Sequence, residues 1–431
     1  MALTGRTALL AVLGALLVGI ALPGWWGLLV VEGLLLGGVA VDLARAAPVR
    51  ALRFDRAGDT SVRLGEPAQV SLTVHNVGAR PLRGVLRDAW PPSAGAAGNR
   101  HELAIPPGER RRLSTTLRPT RRGDRQAHRV TVRSVGPLGL AARQGSHAVS
   151  WTVRALPPFT SRKHLPSRLA RLRELDGRTS VLVRGQGTEF DSLREYVRGD
   201  DVRSIDWRAT ARAADVMVRT WRPERDRHLL LVLDSSRTSA GRVGDAPRLD
   251  AAMDAALLLG ALASRAGDRV DLLIFDRRVR AGVRGVGANE LLAAMVNAMA
   301  PVEPELVEAD VRGLIAAVLA RVSHHSLVVL FTGLDAAVVE HELLPALPAL
   351  SHRHRVLLAA VDDPLVAAMA AGRGDSAAVY DAAAAERARA ARRHTAPLLD
   401  QRGVSVVDAV PEQLAPEVAD AYLALKATGR L

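Results

Sequence analysis

Two apolar stretches at the N-terminus constrain this chain more than any other feature. Residues 7–22 and 28–41 carry apolar or small side chains, with Glu32 as the one charged exception. A helix rises about 1.5 Å per residue, so the roughly 30 Å hydrocarbon layer needs about 20 residues. Each stretch reaches that length only with its flanking residues. Together they predict a two-helix membrane hairpin over residues 1–46.

The connection between the stretches predicts how the hairpin is oriented. Pro23 and Gly24 suit a tight turn, and Trp25 and Trp26 suit the headgroup level of a bilayer. Arg6 precedes the hairpin and four arginines follow it at positions 45, 50, 53 and 56, whereas the connection has none. The positive-inside rule then places both ends in the cytoplasm. We therefore expect a cell-membrane protein with two spans and cytoplasmic soluble domains.

A secretory signal peptide is the alternative explanation of the first stretch. Its cationic region would be Arg6 alone, no clear small-x-small cleavage site follows, and a second apolar stretch comes at once. The hairpin is the favoured interpretation.

Beyond the hairpin the hydrophobic period changes twice. Residues 49–156 contain short period-two runs, such as 68–74 and 129–133, punctuated by Gly, Pro and Asn, which predicts an immunoglobulin-like all-β sandwich. Residues 157–227 are charged and irregular, with a helix expected around residues 168–175. Residues 228–431 alternate buried strands with helices, which is typical of an α/β domain with a doubly wound, mainly parallel sheet.

Composition excludes several classes of function. The 431 residues include no cysteine, so disulfides, thiolate zinc sites and cysteine nucleophiles are absent. The net charge is +13, and almost all of the basic residues are arginines. The arginines do not form runs interleaved with aromatic residues, so their number indicates a compositional bias of the chain and not nucleic-acid binding. The chain also lacks the Gly-x-x-x-x-Gly-Lys phosphate loop and the Gly-x-Ser-x-Gly elbow. We expect no nucleotide, no nucleic acid and no enzymatic activity.

One motif at a predicted strand end carries metal-binding potential. Residues 228–233 form a buried-strand run, and Asp234, Ser236 and Thr238 follow it at alternating positions. Three oxygen side chains directed to one point suit Mg²⁺, which prefers octahedral oxygen ligands. Asp and Ser after a strand are also common loop and helix-capping residues, so both interpretations stay open at this point.

Two segments resemble known families. The Asp234-x-Ser236-x-Thr238 element resembles the first part of the metal-ion-dependent adhesion site of von Willebrand factor type A domains. Residues 187–212 resemble the signature of the bacterial domain-of-unknown-function 58 family, and the Pro-Leu-Gly-Leu run at 137–140 fits that family's pattern. The resemblance spans nearly the whole chain and implies a membrane hairpin, a β domain and a von Willebrand factor type A-like domain. It also implies partnership with a MoxR-type AAA+ ATPase in the assembly or maturation of envelope proteins.

The chain departs from the type A pattern at two places. Gly333 stands where the resemblance implies a further acidic ligand, and Asp335 lies two residues later. The middle loop at 285–289 has no counterpart of the expected threonine. The implied metal ligands are therefore Asp234, Ser236, Thr238 and the displaced Asp335, which form a weak or vestigial site for Mg²⁺.

The family signature is rich in charges of both signs and allows two interpretations. The functional one is a docking surface with candidate partner-binding residues Arg194, Tyr196, Asp200, Arg203 and Trp207. The structural one is that arginine–carboxylate pairs hold the segment against the sheet edge. The structural interpretation is favoured for Glu195, Arg203 and Trp207.

These observations together predict a membrane-anchored, non-enzymatic adaptor that binds the ATPase and other proteins beside the lipid bilayer. A carboxylate from the partner would complete the coordination shell of the cation. A metal-independent structural membrane scaffold acting through the β domain is the alternative. A metal-dependent hydrolase that uses Asp234 ranks third.

Overall fold

The computed structural model describes residues 1–182, 189–213, 215–222 and 227–429. The chain divides into two compact units, Met1–Leu156 and Pro157–Leu431. The hairpin thus belongs to the same unit as the β strands that follow it.

The first unit begins with a short strand and two helices. Strand β1 covers Ala2–Leu3, helix α1 covers Gly5–Ile20 and helix α2 covers Trp25–Arg45. Trp25 and Trp26 are the first residues of α2, not part of the turn, and they are 81% and 82% exposed. Among the described residues, one helical stretch, Trp25–Ala51, is long and apolar enough to cross a membrane, while α1 is shorter.

The rest of the first unit is all β apart from short 3-10 turns, which confirms the β-sandwich prediction at that level. One sheet has the order β1-β10-β9-β5-β7 with β3 beside β10, and the other has the order β2-β4-β8-β6. Leu72 and Val74 of one sheet share a buried cluster with Leu86, Val130 and Val132 of the other. The strands are β2 Leu52–Gly58, β3 Ser61–Arg63, β4 Ala68–Asn76, β5 Leu82–Ala89, β6 Ala96–Ala97, β7 Arg100–Ile105, β8 Arg110–Leu117, β9 Gly123–Val135 and β10 Ala141–Leu156.

The second unit begins with a helix and an antiparallel ribbon. Helix α3 spans Leu165–Leu182, and strand β11, Glu189–Glu195, pairs with strand β12, Met217–Arg222, around the short helix α4, Trp207–Thr210. The ribbon was not predicted, because polar residues on both faces give its strands no hydrophobic alternation. Positions 187 and 188 of the family signature lie outside the described residues.

A six-stranded sheet forms the rest of the second unit. Its order is β17-β16-β13-β18-β19-β20, with every neighbouring pair parallel except β16 and β17. This confirms the predicted mainly parallel α/β sheet, and the antiparallel edge strand β17 was missed because it is short and half exposed. The strands are β13 His228–Asp234, β14 Arg242–Val243, β15 Ala246–Pro247, β16 Arg269–Phe275, β17 Val279–Val283, β18 Ser326–Phe331, β19 Arg355–Val361 and β20 Val404–Ala409, where β14 and β15 form a separate small ribbon.

Helices cover both faces of this sheet. Leu230 and Val232 of β13 share a buried cluster with Leu314 and Ile315 of one helix, and the alternate residue Leu231 faces Gly260 of another. Burial of successive strand residues explains why β13 reads as a continuous apolar run. The helices are α5 Arg237–Ala240, α6 Arg248–Arg265, α7 Ala288–Met299, α8 Val311–Leu319, α9 Ala336–Val338, α10 Leu344–Ala346, α11 Pro348–Ser351, α12 Pro364–Ala370, α13 Ser376–Asp400 and α14 Pro411–Ala427, with a π turn at Val339–Leu343.

Candidate functional site

The ends of two adjacent parallel strands bring the candidate site together. Strand β13 ends at Asp234, and its neighbour β18 ends at Phe331, directly before Thr332. Because parallel strands end at the same edge of a sheet, residues that follow them lie close together there. Ligands of open α/β sheets bind at this carboxyl edge.

Three hydroxyl groups and one carboxylate form a compact oxygen cluster at that edge. Thr238 Oγ1 and Thr332 Oγ1 donate to Asp234 Oδ2 at 2.8 and 2.7 Å, and the Ser236 amide donates to Asp234 Oδ1 at 2.8 Å. The Ser236 and Thr238 hydroxyl oxygens are 3.2 Å apart. Asp234 and Ser236 are buried, while Thr238 and Thr332 are half-buried, so the cluster opens on the threonine side. We call these four residues the oxygen cluster.

The oxygen atoms of the cluster are of the type that a hard cation binds, but together they carry little negative charge. Carboxylate and hydroxyl oxygens are ligands that Mg²⁺ accepts. Asp234 is the one carboxylate in the cluster, and within the described ranges no group of three or more His, Cys, Asp or Glu side chains is placed to hold a metal. The cluster could therefore hold a cation only with neutral oxygens, water or a carboxylate from elsewhere completing its shell.

Sequence reasoning found three members of the oxygen cluster and missed the fourth. Thr332 was not singled out, although a hydroxyl residue directly after a buried parallel strand was the available signal. Gly333, where an acid was expected, lies against Thr238, since a Cβ built there would be 3.3 Å from Thr238 Cβ. Asp335 instead begins helix α9, where its carboxylate accepts the Ala337 amide at 3.1 Å.

A buried ion pair supports the loop that carries Ser235 and Ser236. Asp276, at the end of β16, accepts from Ser235 Oγ at 3.3 Å and from Arg280 at 2.7 Å. Burial alone would raise the pKa of Asp276, but hydrogen bonds from the Arg277 amide, Arg280 and the Arg278 amide together lower it. Asp276 is thus an ionised anchor beside the cluster.

An exposed leucine lies directly beside the cluster. The Glu305 amide donates to the Ser235 carbonyl at 2.8 Å, and the Arg237 amide donates to the Val307 carbonyl at 2.9 Å. These two bonds hold the loop around Leu306 against the residues that flank Ser236. The Leu306 side chain is 82% exposed, and sequence reasoning did not identify it.

Two predicted partner-binding residues of the ribbon segment bond to each other. Arg194 and Asp200 form an ion pair at 2.6 Å, and the Val197 amide also donates to Asp200 at 2.9 Å. The Arg194 guanidinium and then the Val197 amide lower the pKa of Asp200. This pairing is local to the segment.

The other three predicted partner-binding residues face solvent to different degrees. Trp207 is 69% exposed, Tyr196 is 37% exposed and Arg203 is exposed. The structural interpretation favoured for Trp207 therefore stays a prediction, and most of this side chain is open to solvent. Asp206, not Trp207, fixes the local geometry, because it begins α4 and pairs with Arg219 at 2.8 Å.

A protein-family model matches the part of the chain that contains the oxygen cluster. The model described as "Protein of unknown function DUF58" matches residues 192–396. These 205 residues are just under half of the 431-residue chain. The DUF58 match begins in strand β11 and ends in helix α13, so the whole oxygen cluster lies within it. The resemblance seen in the sequence is thereby confirmed.

Curated relatives of the DUF58 region are bacterial proteins described as uncharacterized. Rv1480 of Mycobacterium tuberculosis (strain ATCC 25618 / H37Rv) is 28% identical over 185 residues, which is 42% of this chain and 57% of the relative. YeaD of Bacillus subtilis (strain 168) is 25% identical over 202 residues, which is 45% of this chain and 50% of the relative. The chain spans just over half the length of the curated relatives it matches.

Solved structures resemble parts of the chain distantly. BatB, a conserved hypothetical protein from Bacteroides thetaiotaomicron, aligns with 46% of this chain and 98% of its own at 12% identity and a TM-score of 0.31. The CARDB domain of the PF1109 protein from Pyrococcus furiosus, solved with di-metal ions, aligns with 24% of this chain and 91% of its own at 16% identity and a TM-score of 0.18. Neither likeness is close enough to carry an argument about this protein.

Proposed function

We propose that this protein is a membrane-anchored, non-enzymatic adaptor that binds partner proteins at the carboxyl edge of its α/β sheet. One observation carries the proposal: the half-open oxygen cluster at Asp234 lies beside Leu306, an 82% exposed leucine held in place by backbone hydrogen bonds. An exposed apolar side chain next to convergent polar groups is what a protein-binding centre needs.

The α/β unit is proposed to be a domain of the von Willebrand factor type A kind. Its strand order, its antiparallel edge strand β17 and the Asp-x-Ser-x-Thr element after β13 support that assignment. The preceding sandwich is proposed to be immunoglobulin-like. These assignments go beyond the α/β and all-β architecture itself.

Binding at the oxygen cluster is proposed to be assisted by Mg²⁺. Asp234 supplies the negative charge, and Ser236, Thr238 and Thr332 supply neutral oxygens within hydrogen-bonding distance of one another. A carboxylate from the partner would add the charge that the cluster lacks. This makes the cation site weak when the partner is absent and stronger in the complex.

Membrane anchoring is proposed to use both N-terminal helices, with the soluble domains in the cytoplasm. Helix α2 has 21 residues and would be about 31 Å long, and α1 has 16 residues and would be about 24 Å long. Apolar side chains of both helices are exposed, including Leu13, Leu16, Leu29 and Leu34. Lipid would cover them.

The partner is proposed to be a MoxR-type AAA+ ATPase, and the process the assembly or maturation of envelope proteins. This rests on the family resemblance together with the lack of any phosphate-cradling loop in this chain. An adaptor without its own nucleotide site needs an energy source elsewhere.

Affinity capture from membranes tests the proposal. The tagged full chain is purified in mild detergent with Mg²⁺ or with a chelator, and co-purifying proteins are identified by mass spectrometry. We expect an AAA+ ATPase with wild type, and its loss with chelator or with Asp234→Ala. Glu340→Ala, which removes an exposed carboxylate elsewhere in the same unit, should keep the ATPase. Capture that survives both chelator and Asp234→Ala would overturn the cation-assisted mechanism.

A further inference from the structure

A cavity of about 450 Å³ lies between the free edges of two strands in the β domain. Strand β2 is the end strand of its sheet, and no strand in the described part of the chain pairs with its outer edge. The outer edge of β10 pairs with β1 at Ala141 and Ala142 and with β3 from Arg154 onward, so the stretch between them is unpaired. The cavity is lined by residues of both strands and also by His75 of β4 and Arg110 of β8, which lie beside Arg53 across the sheet.

Cationic and titratable side chains dominate the polar lining of the cavity. Arg53 of β2, His75 of β4, Arg110 of β8 and His147 of β10 surround it, with Asp55 as its one carboxylate. Arg53 and Arg110 are exposed, and among the described residues neither guanidinium group forms a hydrogen bond or ion pair with another side chain or backbone group. Two guanidinium groups therefore face one cavity without a protein partner.

Arg56, on the same strand as Arg53, has the contacts of a structural arginine. Arg56 is buried, pairs with Asp88 and donates from Nε to the Val149 carbonyl of β10 at 3.0 Å. The charge of Arg56 is thus matched within the protein. Arg53, three residues earlier, has no such partner.

The histidine on the opposite wall is held in a defined orientation. His147 Nε2 lies 3.0 Å from the Val49 carbonyl, which can only accept, so this nitrogen carries the proton. The imidazole ring also contacts the Phe54 ring at 4.7 Å between centroids. Nδ1 is therefore the ring nitrogen left to contact a further group.

The cavity lies close to the end of the second hairpin helix. Arg143, on the same strand as His147, donates from Nε to the Leu43 carbonyl in the last turn of α2 at 2.8 Å. Four residues separate Arg143 from His147, which is about 13 Å along a strand. The headgroup layer adds several ångströms to each side of the hydrocarbon core. Measured along β10, the cavity therefore lies about 13 Å beyond the residue that contacts α2, in the same unit of the chain as the hairpin.

We propose that this cavity binds the phosphate group of an anionic membrane lipid. Arg53 and Arg110 would contact the phosphate oxygens, since planar guanidinium groups match phosphate geometry. Asp55 would accept from a hydroxyl of the headgroup, which favours a glycerol-type headgroup over choline. The inference rests on the proposed membrane anchoring and is independent of partner binding at Asp234.

Calorimetric titration of the full chain in neutral detergent micelles tests the inference. The probe is dihexanoyl phosphatidylglycerol, with dihexanoyl phosphatidylcholine, inorganic phosphate and a Glu-rich peptide as separate arms. We expect saturable binding of phosphatidylglycerol alone. Inorganic phosphate binding as tightly would make the site one for free phosphate, and tighter binding of the peptide would make it a protein-docking site. Either result, or no binding at all, overturns the lipid assignment.

A pair of double variants separates the cavity from general electrostatic attraction. Arg53→Gln with Arg110→Gln should weaken phosphatidylglycerol binding by about tenfold or more, because charge-assisted hydrogen bonds are lost. Arg83→Gln with Arg100→Gln removes the same charge from exposed positions on β5 and β7 and should leave affinity within about twofold. Equal losses in both variants contradict the site. Partner capture should be unaffected by either pair, so failure here is distinguishable from failure of the adaptor proposal.

Discussion

Thr332 Oγ1 donates a 2.7 Å hydrogen bond to Asp234 Oδ2 across 98 residues of sequence. The two residues follow neighbouring parallel strands, β18 and β13, and Thr238 Oγ1 donates to the same carboxylate oxygen at 2.8 Å. A single buried oxygen thus joins two strand ends and helix α5. The geometry of the proposed binding face depends on this oxygen.

Replacing Thr332 tests whether its hydroxyl holds that geometry. Thr332→Val keeps the shape of the side chain but removes the donor, so we expect the free energy of local opening to fall by about 1–2 kcal/mol. Amide hydrogen exchange of peptides covering residues 228–240 measures it. Thr332→Ser, which retains a hydroxyl, should exchange nearly as slowly as wild type. Equal protection in Thr332→Val and wild type would show that the bond contributes nothing.

Restoring an acid at position 333 should strengthen cation binding. A Cβ there lies 3.3 Å from Thr238 Cβ, so Gly333→Asp requires Thr238 to shift by a few tenths of an ångström and adds a carboxylate at the cluster. Calorimetric titration of the full chain with Mg²⁺ should give a higher affinity than wild type. Gly333→Asn is the matched control without the charge. If both variants bind Mg²⁺ with the same affinity, the carboxylate added at position 333 does not contact the cation.

Asp276 should give acid-dependent stability to the loop that carries Ser235. Although burial raises its pKa, hydrogen bonds from Arg277 and Arg280 lower it further, so the folded-state pKa lies below the unfolded value near 3.9. Such a group stabilises the fold above about pH 4, and this stabilisation is lost as pH falls through the folded pKa. Asp276→Asn should therefore lose less stability on acidification than wild type.

Chemical denaturation at several pH values between neutral and about pH 2 measures this difference. Asp245→Asn, at a fully exposed carboxylate whose nearest arginine contact is 4.0 Å, is the control and should follow wild type. An unchanged pH profile in Asp276→Asn would contradict the assigned direction of the pKa shift.

Asp42 should be essential for docking of the hairpin on the β domain. Its buried carboxylate accepts the amides of Leu138, Leu140 and Ala141 at 2.7, 2.5 and 3.0 Å. Asp42→Ala leaves these donors unpaired, so we expect a loss on the order of 3 kcal/mol in local stability. Hydrogen exchange across residues 136–142 of the full chain in micelles measures it.

Two further variants check the docking of the hairpin. Gly136→Ala should also disrupt it, because a Cβ there would come within 2.6 Å of Asp42 Cα. Glu32→Ala removes a carboxylate from the middle of α2 and should leave exchange unchanged. If residues 136–142 stay protected from hydrogen exchange in both Asp42→Ala and Gly136→Ala, helix α2 is not held at this turn.

Local patterns in the sequence predicted most of the elements. The apolar run at 228–233 became β13, and the period-two run at 68–74 became β4, because each pattern follows directly from which faces are buried. The Asp234-x-Ser236-x-Thr238 spacing also predicted a real cluster, since its members lie within five residues of each other.

Contacts between distant residues could not be predicted in this way. Thr332 and Asp42 act through partners about 100 residues away, and periodicity carries no information about such pairs. The Pro-Leu-Gly-Leu run at 137–140 was noted, but only the fold shows that its amides donate hydrogen bonds to the Asp42 carboxylate. Leu306 resembled an ordinary loop residue until its neighbours were seen to bond to Ser235 and Arg237.

Photo-crosslinking at position 306 in living cells tests the central claim most directly. A benzophenone amino acid replaces Leu306 in the full chain, and a second chain carries it at Arg269, a 54% exposed side chain at the opposite edge of the sheet. We predict a crosslink to an AAA+ ATPase from position 306, lost when Asp234→Ala is added, and none from position 269. Two results would contradict partner binding at the oxygen cluster. One is an equal crosslink yield from both positions, and the other is a crosslink from position 306 whose yield is unchanged by Asp234→Ala.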